Sequence, residues 1–168
     1  MKSCFFIGHR DTPETVFATL LDTLEKLILE ENVGFFYVGQ YGNFDRLAAL
    51  AVKQLKIHYP FLVLNLVLPY HPAERAVPIP VGFDGSYYPD GMETVPKRFA
   101  IARANKKMVD LSDWLISYVY HPGSNARDLL EYAQRREKKG LICTINLAGG
   151  KHGNQSKNTT LDTLSKLQ

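Results

Sequence analysis

The stretch "FLVLNLVLP", residues 61–69, decides the fold. Apart from Asn65 it is continuously apolar up to its closing proline, with none of the polar alternation of a sheet that has one wet face. Both faces of such a strand must be covered. Upstream, "SCFFIG" (residues 3–8) and "GFFYVG" (34–39) have the same character, and downstream so do "DWLISYVY" (113–120) and "GLICTINL" (140–147). Between these runs the apolar residues recur at helical spacing. After Thr12, Pro13 and Glu14, a helix-start signal, Phe17, Leu20, Leu21, Leu24, Leu27 and Ile28 form one face. Phe44, Leu47, Ala48, Ala51 and Leu55 form a second. Further helices are predicted over 96–108 and 124–138. The order βαβαβαβαβ implies an α/β fold: a Rossmann-like three-layer sandwich with a mostly parallel sheet of about five strands.

At 168 residues the chain suits a single domain over 1–148, followed by a polar C-terminal tail over 149–168 that lacks a core-forming pattern until its last leucines. The tail is expected to be mobile or to form a short docking helix. No run is long enough to span a membrane, and "MKSCFFIGHR" is too poor in apolar residues for a signal peptide, so a cytoplasmic location without membrane attachment is expected. Cys4 and Cys143 fall in apolar runs and are expected to be buried free thiols. The net charge is +3, but Lys151, Lys157 and Lys166 against Asp162 place two of those charges in the tail. The nearly neutral body disfavours nucleic acid as a partner on this reading. The basic run Arg135, Arg136, Lys138 and Lys139 suits a helix C-terminus. The five histidines form no ligand-spaced cluster, so neither a metal nor another cofactor is expected.

Right-handed crossovers bring the loops leaving every parallel strand to one edge, where such sheets bind ligands at the topological switch point. The first loop, "GHRDTP", offers Gly8 for a sharp turn and His9 and Arg10 beside a helix N-terminus, or is a surface turn with incidental polar residues. The second, "VGQYGNFDRLAA", has Gly39 and Gly42 for close backbone approach. Its Asp45 either complements the helix dipole or recognises a sugar or base. The third, "YHPGSNARDLL", has Gly123, Ser124 and Asn125 at a helix start, an anion cradle or a plain serine cap. The dinucleotide fingerprint and the P-loop are both missing, which argues against an ordinary dehydrogenase or ATPase. Arg98 and Asn105, seven apart on one predicted helix, share a face, so Arg98 is preferred to Arg103 as a ligand contact. Residues 69–94 form a long connection rich in proline, glycine and tyrosine. It reads as a lid, or as an extended crossover whose aromatics pack on the sheet edge or a neighbouring subunit; homo-oligomerisation stays open.

Taken together, "CFFIGHR", "GNFDRLAALAVKQLKIHYP" with "LNLVLP", "ARANKKMVDLSDWLISYV" and "GSNARDLLEYA" resemble the SLOG superfamily, the Rossmann-like group of DprA and the LOG phosphoribohydrolases, and within it the small YpsA-like bacterial members. The resemblance runs from Cys4 to about Asn146. It implies that glycine-bearing loops bind a small nucleotide or nucleotide-derived ligand, through Gly8, His9, Arg10, Gly39, Gly42, Asp45, Asn105 and Gly123. It also matches Met108, Asp110, Ser112 and Asp113. Two departures bear on the ligand: Gln40 stands where a second glycine would follow Gly39, and Gly123-Ser124-Asn125 replaces a glycine pair and threonine. Two functions follow: binding or sensing of a nucleotide-like ligand, or LOG-like hydrolysis of an N-glycosidic bond with Glu131, Asp45 or Glu93 as the carboxylate. The LOG signature P-G-G-x-G-T-x-x-E is absent after Pro122, which favours binding over turnover.

Overall fold

The computed structural model describes residues 1–149; the expectations for the tail beyond them lie outside the described residues. Six parallel strands form one sheet in the order β4-β3-β2-β1-β5-β6. They are β1 (Lys2–Gly8), β2 (Val33–Val38), β3 (Val63–Val67), β4 (Gly85–Tyr87), β5 (Trp114–Tyr118) and β6 (Cys143–Asn146). The helices are α1 (Val16–Glu31), α2 (Asn43–His58), α3 (Ala100–Leu111) and α4 (Asn125–Glu137), with a 3-10 turn at Lys97–Phe99. The chain moves outward from β1 through β2, β3 and β4, then returns to the other side of β1 with β5. The gap between the ends of β1 and β5 is therefore the switch point.

Alternation along β1 divides the interior in two. Cys4 and Phe6 join Leu20, Leu24, Phe36, Phe44 and Leu47 under α1 and α2, while Phe5 joins Met108, Val109, Leu115 and Leu130 under α3 and α4. The continuous apolar runs follow from this double coverage. β1 and β5 stay in register from Cys4 opposite Trp114 to Gly8 opposite Tyr118, so both strands end level at the switch point.

Three expectations need correction. The strand count is six because Gly85–Tyr87, without any apolar run, pairs with the open edge of β3. Asp84 fastens it there, accepting the Leu64 N–H at 2.8 Å and pairing with Lys56. The connection over 69–94 thus runs along the sheet edge, and Met92 packs with Ala100 and Ala104 beneath Tyr70, Tyr88 and Val95. Second, α3 begins at Ala100, so Arg98 lies in the preceding 3-10 turn. Third, both cysteines are free but Cys143 is exposed, because β6 is an edge strand.

Gly8 ends β1 directly beneath the buried ring of Phe44, and a Cβ there would lie 2.4 Å from a ring carbon. Gly8→Ala is expected to destabilise the fold by about 2–3 kcal/mol, as overpacking does. Denaturant unfolding measures this.

Candidate functional site

The four loops leaving β1, β2, β3 and β5 do meet at one edge, but the predicted residues divide between two tasks. Gly8, Gly39, Asp45 and Asn105 line a narrow pocket of about 60 Å³ between the carboxyl ends of the strands and α3. Asn105 and Asn125 also line a groove of about 330 Å³ between α3 and α4, with Ile7, Ala126, Leu129 and Tyr132. Its volume lies at the lower end of the range for small-molecule sites.

The remaining residues brace the edge. His9 is only 7% exposed, and its Nε2 accepts the backbone N–H groups of Tyr120 (3.0 Å) and His121 (3.1 Å). Two amides of the β5–α4 loop are therefore already occupied, and His9 spans the switch point as a tie between loops. An accepting Nε2 requires the neutral ring with its proton on Nδ1. Burial holds the imidazole below its ordinary pKa, aided by His121 and Arg127 and opposed by Asp11. The loop is pinned from its other side by Asn146, whose side chain accepts the Val119 N–H and donates to the Val119 carbonyl.

Arg10 is exposed and does not line the pocket or the groove; it has no ion pair among the described residues. Its backbone carbonyl accepts the Asn43 N–H at 3.1 Å, and Gly42 crosses so closely that a Cβ would lie 2.7 Å from the Arg10 Cα. Gly42 thus serves loop-to-loop packing, and the N-terminus of α2 is partly filled by protein. Ser124 is an ordinary N-cap: its Oγ accepts the Arg127 N–H and donates to the His121 carbonyl. Gly123 precedes it with φ 87°, in the left-handed region. Arg98 is exposed over the Phe99 ring, outside both depressions, because the helix that would have aligned it with Asn105 starts later.

Within the pocket the carboxyl of Asp45 accepts the Tyr41 N–H at 2.9 Å and lies beside Gly39. Burial pushes its pKa up to about 6, against the lowering effect of that hydrogen bond. The Asn105 side chain has no hydrogen-bond partner among the described residues and lies where pocket and groove meet. Of the other two candidate carboxylates, Glu131 lies on the outer side of α4, and Glu93 is an exposed residue of the 69–94 connection itself. Sequence reasoning missed Tyr41, Tyr132 and Ile7 as lining residues, since nothing local distinguishes them from core or surface aromatic and aliphatic residues.

Among the described residues no group of three or more His, Cys, Asp or Glu side chains is placed to hold a metal ion, and no helix is long and apolar enough to cross a membrane. The arrangement is that of a Rossmann-like domain with a cleft at its topological switch point. No protein-family model and no curated protein matches the sequence. Among solved structures, the fold is similar to that of DNA processing protein A from Helicobacter pylori, with a TM-score of 0.50 and 16% identity, over 87% of this chain and 76% of that one. At this identity the likeness establishes the Rossmann-like fold. That neighbour binds single-stranded DNA, which corrects the expectation drawn from net charge that nucleic acid is disfavoured as a partner. Net charge averages over the whole surface, whereas strand binding depends on where cations lie and on stacking against side chains.

Proposed function

We propose that this protein binds a nucleotide or nucleotide-derived ligand in the cleft at the carboxyl edge of its sheet, and acts as a binding or sensing module. One observation carries the reading: the unpartnered Asn105 carboxamide and the Asp45 carboxyl converge on bare backbone at Gly8 and Gly39 beside an apolar groove. An apolar cavity with a few convergent polar groups is the usual form of a small-molecule site. A flat base fits the apolar groove, and sugar hydroxyls fit the carboxyl and carboxamide. Arg10, exposed on the loop that leaves β1 at the same edge, supplies a cation for phosphate approach. The resemblance to YpsA-like SLOG members supports the same reading. The single-stranded DNA bound by the structural neighbour brings the end of a strand into the same chemical class.

Isothermal titration with a panel of nucleoside monophosphates tests this. Asn105→Ala is expected to weaken the tightest ligand about tenfold, the effect of losing one well-placed hydrogen bond to a buried partner. Arg98→Ala is expected to leave binding unchanged. Equal affinity in Asn105→Ala and wild type would contradict the site.

A second reading, N-glycosidic hydrolysis, is favoured by Asp45 alone: a carboxyl with a pKa of about 6 in a cleft is suited to proton transfer near neutrality. Release of free base during the same titrations, detected by chromatography, separates turnover from binding.

A further inference from the structure

Resting on the ligand site proposed above, we propose that the cleft takes two bases joined through sugar and phosphate, a dinucleotide unit, in place of a single nucleotide. The carboxyl edge holds three adjoining depressions. The groove between α3 and α4 meets the Asp45 pocket across Ile7 and Asn105, which line both. Beyond Pro69, which again lines both, the Asp45 pocket meets a third depression of about 150 Å³ under the 69–94 connection. The middle pocket, at about 60 Å³, has room for about two water molecules and is too small for a base.

The two ends are of another kind. One has an apolar wall of Ile7, Ala126 and Leu129 beside the Tyr132 ring, with Lys106 Nζ 4.9 Å from the ring centre. The other is walled by Tyr70, Tyr88, Met92 and Val95, with His71 edge-on to Tyr88, Glu93 in its lining and, at its margin, Lys97 paired with Glu74 at 3.6 Å. Each end therefore offers an aromatic or apolar surface with a cation near it, Lys106 at the first and Arg75 at the second, the pairing that receives a base next to a phosphate. The waist between them offers glycine backbone, a carboxyl and a carboxamide, which suit sugar hydroxyls and a linking chain. Arg75 adds a cation on the second side. It stacks on Tyr70, 5.2 Å from the ring centre. Arg75 forms no ion pair among the described residues.

Two sources carry this chemistry, a free dinucleotide joined by pyrophosphate and two successive nucleotides of a single strand. Titrations of the full chain with adenosine monophosphate, diadenosine diphosphate and the 5′-phosphorylated deoxyadenosine dinucleotide distinguish them, since the tighter of the two dinucleotides identifies the source. Either is expected to bind at least about tenfold more tightly than the mononucleotide, the usual effect of stacking one further base. Ala102→Trp, at an exposed position on the first groove, and Tyr88→Ala, in the third depression, are each expected to remove that advantage. Should Tyr88→Ala fold poorly, the exposed Glu93→Trp narrows the same depression. Ala102→Trp, on the groove assigned to the single base, is expected to weaken the mononucleotide as well, and Tyr88→Ala is not. If both dinucleotides bind no more tightly than the mononucleotide, or if both third-depression variants leave dinucleotide affinity unchanged, this proposal fails while the nucleotide site stands. If none of the three probes binds, both fail.

Discussion

Replacing His9 with alanine is expected to lower the stability of the domain by about 2–4 kcal/mol, the largest effect of any polar substitution at this edge. The imidazole is buried, and its one acceptor nitrogen serves the amides of both Tyr120 and His121. Removing it leaves two donors without their partner and a cavity where the ring packs edge-on to Tyr120, with centroids 4.7 Å apart. The effect is also expected to depend on pH. The folded-state pKa of His9 is lowered, so the folded protein resists protonation that the unfolded chain accepts. The stabilisation is fully present above the unfolded pKa of about 6.5 and is lost as the pH falls through the lower folded value. Groups facing the ring include His121, Tyr120, Asp11 and Arg127. Unfolding curves of wild type and His9→Ala at successive pH values should therefore converge as the pH falls from 7.5 to 5. Curves that stay parallel would show that the ring acts by packing alone.

Asp45→Asn is expected to do the opposite and stabilise the fold, by about 2–3 kcal/mol at pH 7.5. With a folded pKa of about 6, above the ordinary value near 4, the folded state holds the Asp45 proton where the unfolded chain has released it. Wild-type stability attributable to this group is present below pH 4 and declines as the pH rises through 6. Asparagine retains an oxygen to accept the Tyr41 N–H and carries no charge to bury. Its advantage should vanish at pH 4, and ligand affinity should fall as stability rises, the trade-off expected where a functional group is held in an unfavourable setting. Thermal unfolding at pH 4 and 7.5, paired with titration of the ligand, measures both changes.

The two cases also show what a sequence displays and what it conceals. The sheet was legible because double coverage imposes continuous apolar runs, and "FLVLNLVLP" has no other comfortable setting in an α/β order. The edge that gathers the loops followed from crossover handedness, without any contact being known. Gly85–Tyr87 was concealed because its pairing comes from the free edge of β3 and from Asp84, with no apolar pattern of its own. Arg98 was misplaced because the periodicity that aligned it with Asn105 continued through Lys97–Phe99, where the chain forms a 3-10 turn. His9 carried no local signal of its role, since its partners lie 111 and 112 residues away. Among the glycines, the spacing signalled close approach, but only the tertiary structure separates Gly42, which packs loop on loop, from Gly39, which opens onto the cleft.

The most direct test of the proposed site is to follow backbone amide resonances while adenosine monophosphate is added. The account predicts that the changes concentrate at Gly8, Gly39, Asn105 and Asn125, on the α3 and α4 side of the switch point. Changes confined to the basic end of α4 around Arg135 and Lys138, or spread evenly over the surface, would contradict it.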